Sequence, residues 1–400
     1  MAQRNAAASR TSSVDSAIDG EVSLVRGGPF YRAQQAARLI ESNRWNLGRR
    51  IVFAVVVTWV PLVLITLLFN PHAIRSLLGD YLVNARILFA VPVLLVGQLI
   101  MEQTFRAIAR HVREAGLLVE EELIRLDAII GNLMRLRDSM LPELLILAAV
   151  YVHVALFMGP RLSIALPWAV IRTGTSFHAS PAGWYGALVS GALYEFLLGL
   201  SLWKWLLWSY FLLRLSRLNL QVVATHPDHH GGLGFLGLSP IAAAPIAVAV
   251  SAAIASVWRA QILHHNTHLM DYKFQAVALL VIVLLIFMGP LVFFMPRLGR
   301  LRQRGILEYG TLAQMHSMDF QQKWIVRRAG HEDEFLDAPE VSTLTDLATS
   351  YDNIEHMQPF PFDRVAFFSL LLAVVLPMLP VVLAEIPLSD VLKALFGALK

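Results

Sequence analysis

Apolar residues fall into seven long runs along the chain, at roughly 51–69, 85–101, 141–158, 186–212, 238–257, 274–295 and 365–384. A bilayer core about 30 Å thick needs about 20 apolar residues in a helix, so each run predicts a membrane span. The fifth is the least regular. It is rich in Ala and carries Pro240 and Pro245, which leaves a re-entrant segment as the alternative to a full crossing. Between the second and third runs, Phe105, Ile108, Val112, Ala115, Val119, Leu123, Leu126, Ile130 and Leu133 recur in steps of three and four, predicting an amphipathic helix over 104–138. Arg106, Arg110, Arg113, Glu121, Arg125 and Arg135 take its other side and read as a solvated face. After the sixth run the same periodicity returns at Ile306, Tyr309, Ala313, His316, Phe320 and Trp324, and Ser342 to Tyr351 suggests a further short helix.

The fold class that follows is all-α: a polytopic transmembrane helical bundle of about seven spans with a small helical cytoplasmic part. Residues 1–45 lack a sustained apolar run and are expected to be a mobile cytoplasmic segment apart from a short helix near Tyr31 to Ile40. Residues 46–296 form the membrane domain with six spans, 297–363 a cytoplasmic helical segment, and 364–400 the seventh span and tail. The first apolar stretch begins at Ile51, too far in for a secretory signal. Lys and Arg concentrate on the segments that a cytoplasmic N-terminus would place inside, so the positive-inside rule puts the N-terminus in the cytoplasm and the C-terminus outside.

Composition agrees with this reading. Hydrophobic residues make up 56% of the 400 and charged residues 16%, against about 25% charged in a soluble domain. The net charge of +4 would admit nucleic acid only with a contiguous basic face, whereas here Arg gathers beside apolar runs. The expected partner is the lipid bilayer, with a homo-oligomer left open and no nucleic acid. The chain has no Cys, which excludes disulfides, thiolate catalysis and Cys-ligated zinc or iron–sulfur sites. Of the 33 basic residues 28 are Arg, a usage associated with GC-rich bacterial genomes; a bacterial inner membrane is the working location.

Polar groups inside spans point to function because a charge at the bilayer centre costs at least about 2.5 kcal/mol. The fourth span holds Glu195 near its middle and Lys204 among Trp203, Trp205 and Trp208. Nine residues at about 100° each put the two on opposite faces, roughly 13.5 Å apart along the axis. Lys204 can snorkel to the interface. Glu195 is too short to do so and needs a partner or an aqueous cavity, and His153 in the third span is a candidate partner. Together these three are the pathway candidates. Prolines at 61, 92, 245, 290 and 377 would loosen several spans, which transport folds tolerate. Leu156-Phe-Met-Gly-Pro160 is echoed by Ile286-Phe-Met-Gly-Pro290, as two halves of an inverted repeat would be.

Two histidine clusters are the metal candidates. In Thr225-His-Pro-Asp-His-His-Gly-Gly-Leu-Gly-Phe-Leu-Gly237, the residues His226, Asp228, His229 and His230 bring four possible metal ligands into five positions. Three readings stay open: a turn shaped by Pro and Gly, a metal site, or a backbone anion site made from Gly-rich N–H groups. The second cluster is His264, His265, His268 and Asp271. On a helix His264, His268 and Asp271 would share a face, a donor set suited to zinc or non-haem iron.

These clusters resemble boxes of the membrane fatty acid desaturase and hydroxylase families, with His226 to His230 in the HxxHH form and His264 to His268 in the HxxxH form. That resemblance would imply an iron-dependent membrane enzyme. The chain is also similar, through His226 to Leu236 and the Tyr309 to Trp324 helix, to uncharacterised bacterial multi-pass proteins with an HPDxxGGLGFL segment, a family that implies no activity. Passage of an ion or small solute is the leading functional reading. A metal-dependent enzyme is the second, and a membrane scaffold or signalling protein the third.

Overall fold

A long apolar segment in lipid has no water to bond its backbone, so it must close its own i to i−4 ladder. Each of the seven runs does so in a computed structural model that describes residues 23–41, 45–162, 166–173, 176–265, 267–326, 339–362 and 364–385. The helices are α1 (Pro29–Ala36), α2 (Leu47–Phe69), α3 (Tyr81–Glu114), α4 (Glu120–Asp138), α5 (Met140–Leu162), α6 (Pro181–Ser216), α7 (Leu238–His265), α8 (Lys273–Met288), α9 (Met295–Phe320), α10 (Pro339–Glu355) and α11 (Arg364–Val375, continued by Leu379–Glu385). One short antiparallel hairpin, β1 (Val170–Thr173) with β2 (Ser176–Ala179), pairs Val170 with Ala179 and Thr173 with Ser176. Seven of these segments are long and apolar enough to cross a bilayer: α2, α3, α5, α6, α7, the α8–α9 rod and α11. The protein is a multi-pass integral membrane protein with an all-α bundle.

The bundle has two ends. The arginine-rich end gathers α1, α4, the 217–237 loop, α9 and α10; the hairpin end gathers Asp80, β1–β2 and His268. At the centre α7 packs against α3 and α11, and it is the most buried of the spans. Small residues make that contact possible: a Cβ on Gly97 of α3 would stand 2.7 Å from Pro245 Cβ of α7. Peripheral α5 is the least buried span and touches mainly α6, where Gly199 leaves room for Ile146.

One open alternative closes and three expectations change. The fifth span is one continuous helix of 28 residues, long enough to cross the bilayer, so Pro245 is carried within it and no re-entrant turn forms. The stripe over 104–138 is split between two helices, because Gly116 adopts φ +68 after α3 ends and Val119 is extended before α4 begins. Its ends still pack as expected, with Phe105, Ile108, Val112, Leu126 and Leu133 buried while Val119 at the break is exposed. Of the N-terminal segment, residues 1–22 and 42–44 lie outside the described residues. Residues 23–41 are docked rather than loose: Val25 N donates to Glu102 Oε2 (3.0 Å), Gly28 N to Asp138 Oδ1 (3.0 Å) and Phe30 N to Glu143 Oε2 (2.7 Å). Finally, α7 stops at His265 and Leu269 begins a separate turn, so His264 and His268 do not share a helical face.

Ile306, Tyr309, Ala313, His316 and Phe320 do lie on the half-buried side of α9, against α10. The repeated pentapeptides have different backbones: 156–160 is helical within α5, whereas Gly289 and Pro290 open a 3-10 turn between α8 and α9. Pro377 sits in a second such turn, Leu376–Met378.

Candidate functional site

The polar groups of the membrane region are best followed along α6. Ser190 and Lys204 are 14 residues apart, which at about 100° per residue leaves them within roughly 40° of one another. Ser190, Tyr194, Leu197 and Ser201 are buried on that side. The Ser190 hydroxyl donates to Thr58 O of α2 (2.7 Å), and the Tyr194 hydroxyl to Ala249 O of α7 (3.3 Å). Three layers follow one another along this face.

At the hairpin end a cavity of about 110 Å³ is lined by Asp80, Arg86, Trp168, Ala187 and Ser190. Its walls include two π-helical stretches, Ala85–Ala90 of α3 and Gly186–Gly191 of α6. Such stretches widen a helix locally and recur at functional sites. Asp80 caps the start of α3: its Oδ1 accepts from Leu82 N (2.9 Å), and its Oδ2 from Trp168 Nε1 (2.9 Å). Burial pushes the Asp80 carboxyl above its ordinary value, outweighing the opposing bonds from Trp168, Val83 and Leu82 and the charge of Arg86. One helical turn deeper, Ala54, Val91, Leu94, Leu95, Tyr194 and Leu197 close into an apolar seal between α2, α3, α6 and α7.

Beyond the seal, towards the arginine-rich end, lies a buried polar cluster. Arg50 Nε donates to Gln34 Oε1 of α1 (2.7 Å) and Arg50 Nη2 to Gln98 Oε1 of α3 (3.0 Å). Arg26 and Arg50 both face the Trp45 ring, at 5.3 and 5.5 Å. Glu102 is buried and takes Arg106, Arg26 and the Val25 N–H. Lys204 stands in the electrostatic reach of Arg50, Glu102, Glu143 and Arg137. The sequence reading singled out Lys204 and missed Arg50, Gln98 and Glu102. Gln98 was legible as a polar residue inside an apolar run, whereas Arg50 and Glu102 looked like ordinary flanks because nothing in the chain told that the 23–41 segment would cover them.

The other two pathway candidates meet on the far side of α6. His153 Nδ1 and Glu195 Oε2 are 2.7 Å apart, joining α5 to α6. The His153 side chain is 43% exposed and that of Glu195 16%, so the pair faces the bundle's perimeter and is separated from Lys204 by the width of α6.

The 217–237 loop is organised around one carboxylate. Asp228 Oδ1 accepts from His230 N (2.8 Å) and Gly232 N (3.0 Å), and Oδ2 from Gly234 N (2.9 Å), with His226 Nδ1 2.8 Å from Oδ1. Burial alone would raise this carboxyl, but the N–H groups of Gly234, His230 and Gly232 and the His226 ring hold it below the ordinary range. The loop is thus a nest of backbone donors whose anion is its own side chain. Residues His229, Gly231 and Gly232 take positive φ (56, 66 and 89°) to wrap it. The imidazoles diverge: His229 Nδ1 lies 3.4 Å from Asn353 O, and buried His230 has its Nδ1 3.3 Å from Gln358 O. Gln358 N in turn donates to His229 O (2.8 Å), tying the loop to the segment after α10.

In the second cluster His268 Nδ1 lies 3.2 Å from Glu385 Oε1, and Asp271 Oδ2 accepts from His268 N (2.8 Å). The His264 and His265 side chains lie outside the described residues. Among the described residues no group of three His, Asp or Glu side chains is placed to hold a metal ion. The two clusters lie at opposite ends of α7, whose 28 residues extend about 42 Å. One metal centre drawing on both clusters, as the desaturase and hydroxylase resemblance would imply, is therefore not assembled by the described residues. No protein-family model matches the chain, and no curated protein or solved structure matches it.

Proposed function

We propose that the protein passes an ion or small solute across a bacterial inner membrane, with its N-terminus in the cytoplasm, along the face of α6 that looks onto α2 and α3. The observation that carries this reading is the layered order on that face: a cavity holding Asp80 and Arg86, an apolar seal at Leu94 and Leu197, then buried Arg50 and Gln98 with half-buried Lys204 in electrostatic reach. Polar residues at membrane depth are expensive, and a seal between two polar compartments is what alternating or gated passage requires. The π-helical stretches supply backbone that can re-register with little loss of hydrogen bonding. In this reading the His153–Glu195 pair fastens α5 to the bundle and does not line the route.

Flux from liposomes containing the purified protein, followed separately for potassium, chloride and protons, tests the proposal. Wild-type protein should dissipate at least one of these gradients faster than empty liposomes. Ala187→Phe, which fills the cavity, should abolish that flux; Leu94→Ser with Leu197→Ser should raise it about tenfold or more, the effect of about 1.4 kcal/mol on a barrier. Glu195→Gln should leave it within twofold. Loss of flux in a folded Glu195→Gln protein would move the route to the α5 side of α6.

A further inference from the structure

The donors around Arg50 outnumber the acceptors. Arg50 is 3% exposed and Gln98 2%, yet Arg50 Nη1 and Gln98 Nε2 meet no acceptor among the described residues. These nitrogens are neighbours, because Arg50 Nη2 is already bonded to the Oε1 of the same Gln98 amide. Lys204, half-buried on the same side of α6 as Ser201 and Leu197, stands within electrostatic reach of Arg50, Glu102 and Glu143. The nearby carboxylates are committed elsewhere: Glu102 to Val25 N, Arg106 and Arg26, and Glu143 to Phe30 N. Four cations, Arg26, Arg50, Arg106 and Lys204, therefore share two carboxylates. A buried polar donor left unmatched costs about 1–3 kcal/mol, more when charged. Water could accept from the two N–H groups but would leave the excess positive charge in place.

We propose that Arg50 Nη1, Gln98 Nε2 and Lys204 bind a small monovalent anion, inorganic or carboxylate, between α2, α3 and α6. As the substrate class of the pathway this rests on the transport reading; as a binding site it stands apart from it. A guanidinium edge and an amide N–H, with an ammonium within electrostatic reach, match the donor needs of one compact anion. The Trp45 ring against Arg50 and the docked 23–41 segment close the site toward the arginine-rich end.

Thermal unfolding of the full-length protein in detergent with zwitterionic lipid tests this directly. Sodium gluconate is replaced stepwise by sodium chloride, or by sodium nitrate, at constant ionic strength. Either small anion should raise Tm saturably by about 2 °C or more, as ligand linkage requires near ten times Kd. Lys204→Met should remove at least half of that shift, and Lys204→Arg should restore it. Because the readout is the anion-dependent difference, a change in the variant's baseline stability does not mask it. The proposal is overturned if wild-type Tm does not respond to either anion, or if Lys204→Met keeps the full shift. It is equally overturned if anionic phosphatidylglycerol shifts Tm and the free anions do not. A saturable chloride shift without any liposome flux would sink the pathway and leave the site standing; flux without the shift would do the reverse.

Discussion

At the scale of single residues, two aspartates show how placement decides chemistry. Asp80 is held above its ordinary pKa by burial and Asp228 below it by backbone donors. For Asp228 the linkage sign follows from that depression. A carboxyl with a lower pKa in the folded state contributes stability above its unfolded value of about 3.9 and loses it as the pH falls through the folded value. The Tm difference between wild type and Asp228→Asn should therefore be flat from pH 8 to about 5 and narrow below about 4; a difference that grew with acid would contradict the nest. His226, Asp228, His229 and His230 were legible as a cluster, with a Pro- and Gly-shaped turn, a metal site and a backbone anion site left open; the Gly-rich N–H groups take the loop's own carboxylate. What the one-dimensional pattern lacked was that the anion is internal. Glu195 and His153 were likewise legible as partners, since a mid-span carboxylate must find one, but not the perimeter position of the pair.

At the scale of elements, apolar runs located all seven spans because the period and length of a membrane helix are set by local backbone physics. Where elements end was less legible. Gly116 breaks the 104–138 stripe through a positive φ, and the side-chain pattern continues across the break as though the helix did too. The contact of α3 with α7 depends on one missing side chain. Gly97→Ala places a Cβ 2.7 Å from Pro245 Cβ, so it should cost about 1–3 kcal/mol as overpacking does. Gly48→Ala, which meets nothing within 4 Å, should be neutral or slightly stabilising in its helix. Equal Tm values for the two variants would show that the helices part without penalty. The π-helical stretches of α3 and α6 had no sequence signal, since they follow from how the two helices and the hairpin fit around one cavity.

At the scale of the whole molecule, the continuous α7 separates the 217–237 loop from His268 by a full span. The chain contains no Cys, so single cysteines at Gln221 and Met270, both exposed, can be labelled without background. A membrane-impermeant thiol reagent should reach Gln221→Cys only in inside-out vesicles and Met270→Cys only in right-side-out ones. Labelling of both from one side would require a re-entrant fifth segment and would reopen a shared metal centre.

The sequence by itself determined that this is a multi-pass helical membrane protein, where its spans run, and which side chains are costly enough to need partners. Those properties depend on composition and local periodicity, which are written in the chain. Only the tertiary structure decided that Lys204 belongs with Arg50, Gln98 and Glu102, that His153 and Glu195 pair at the bundle's perimeter, and that the fifth span crosses without a re-entrant turn. Such groupings join residues as far apart in the chain as Arg50 and Lys204, brought together by helix packing and by the docking of 23–41. A span's register on its neighbours follows from close contacts such as Gly97 on Pro245, whose energy exists only once both helices are in place.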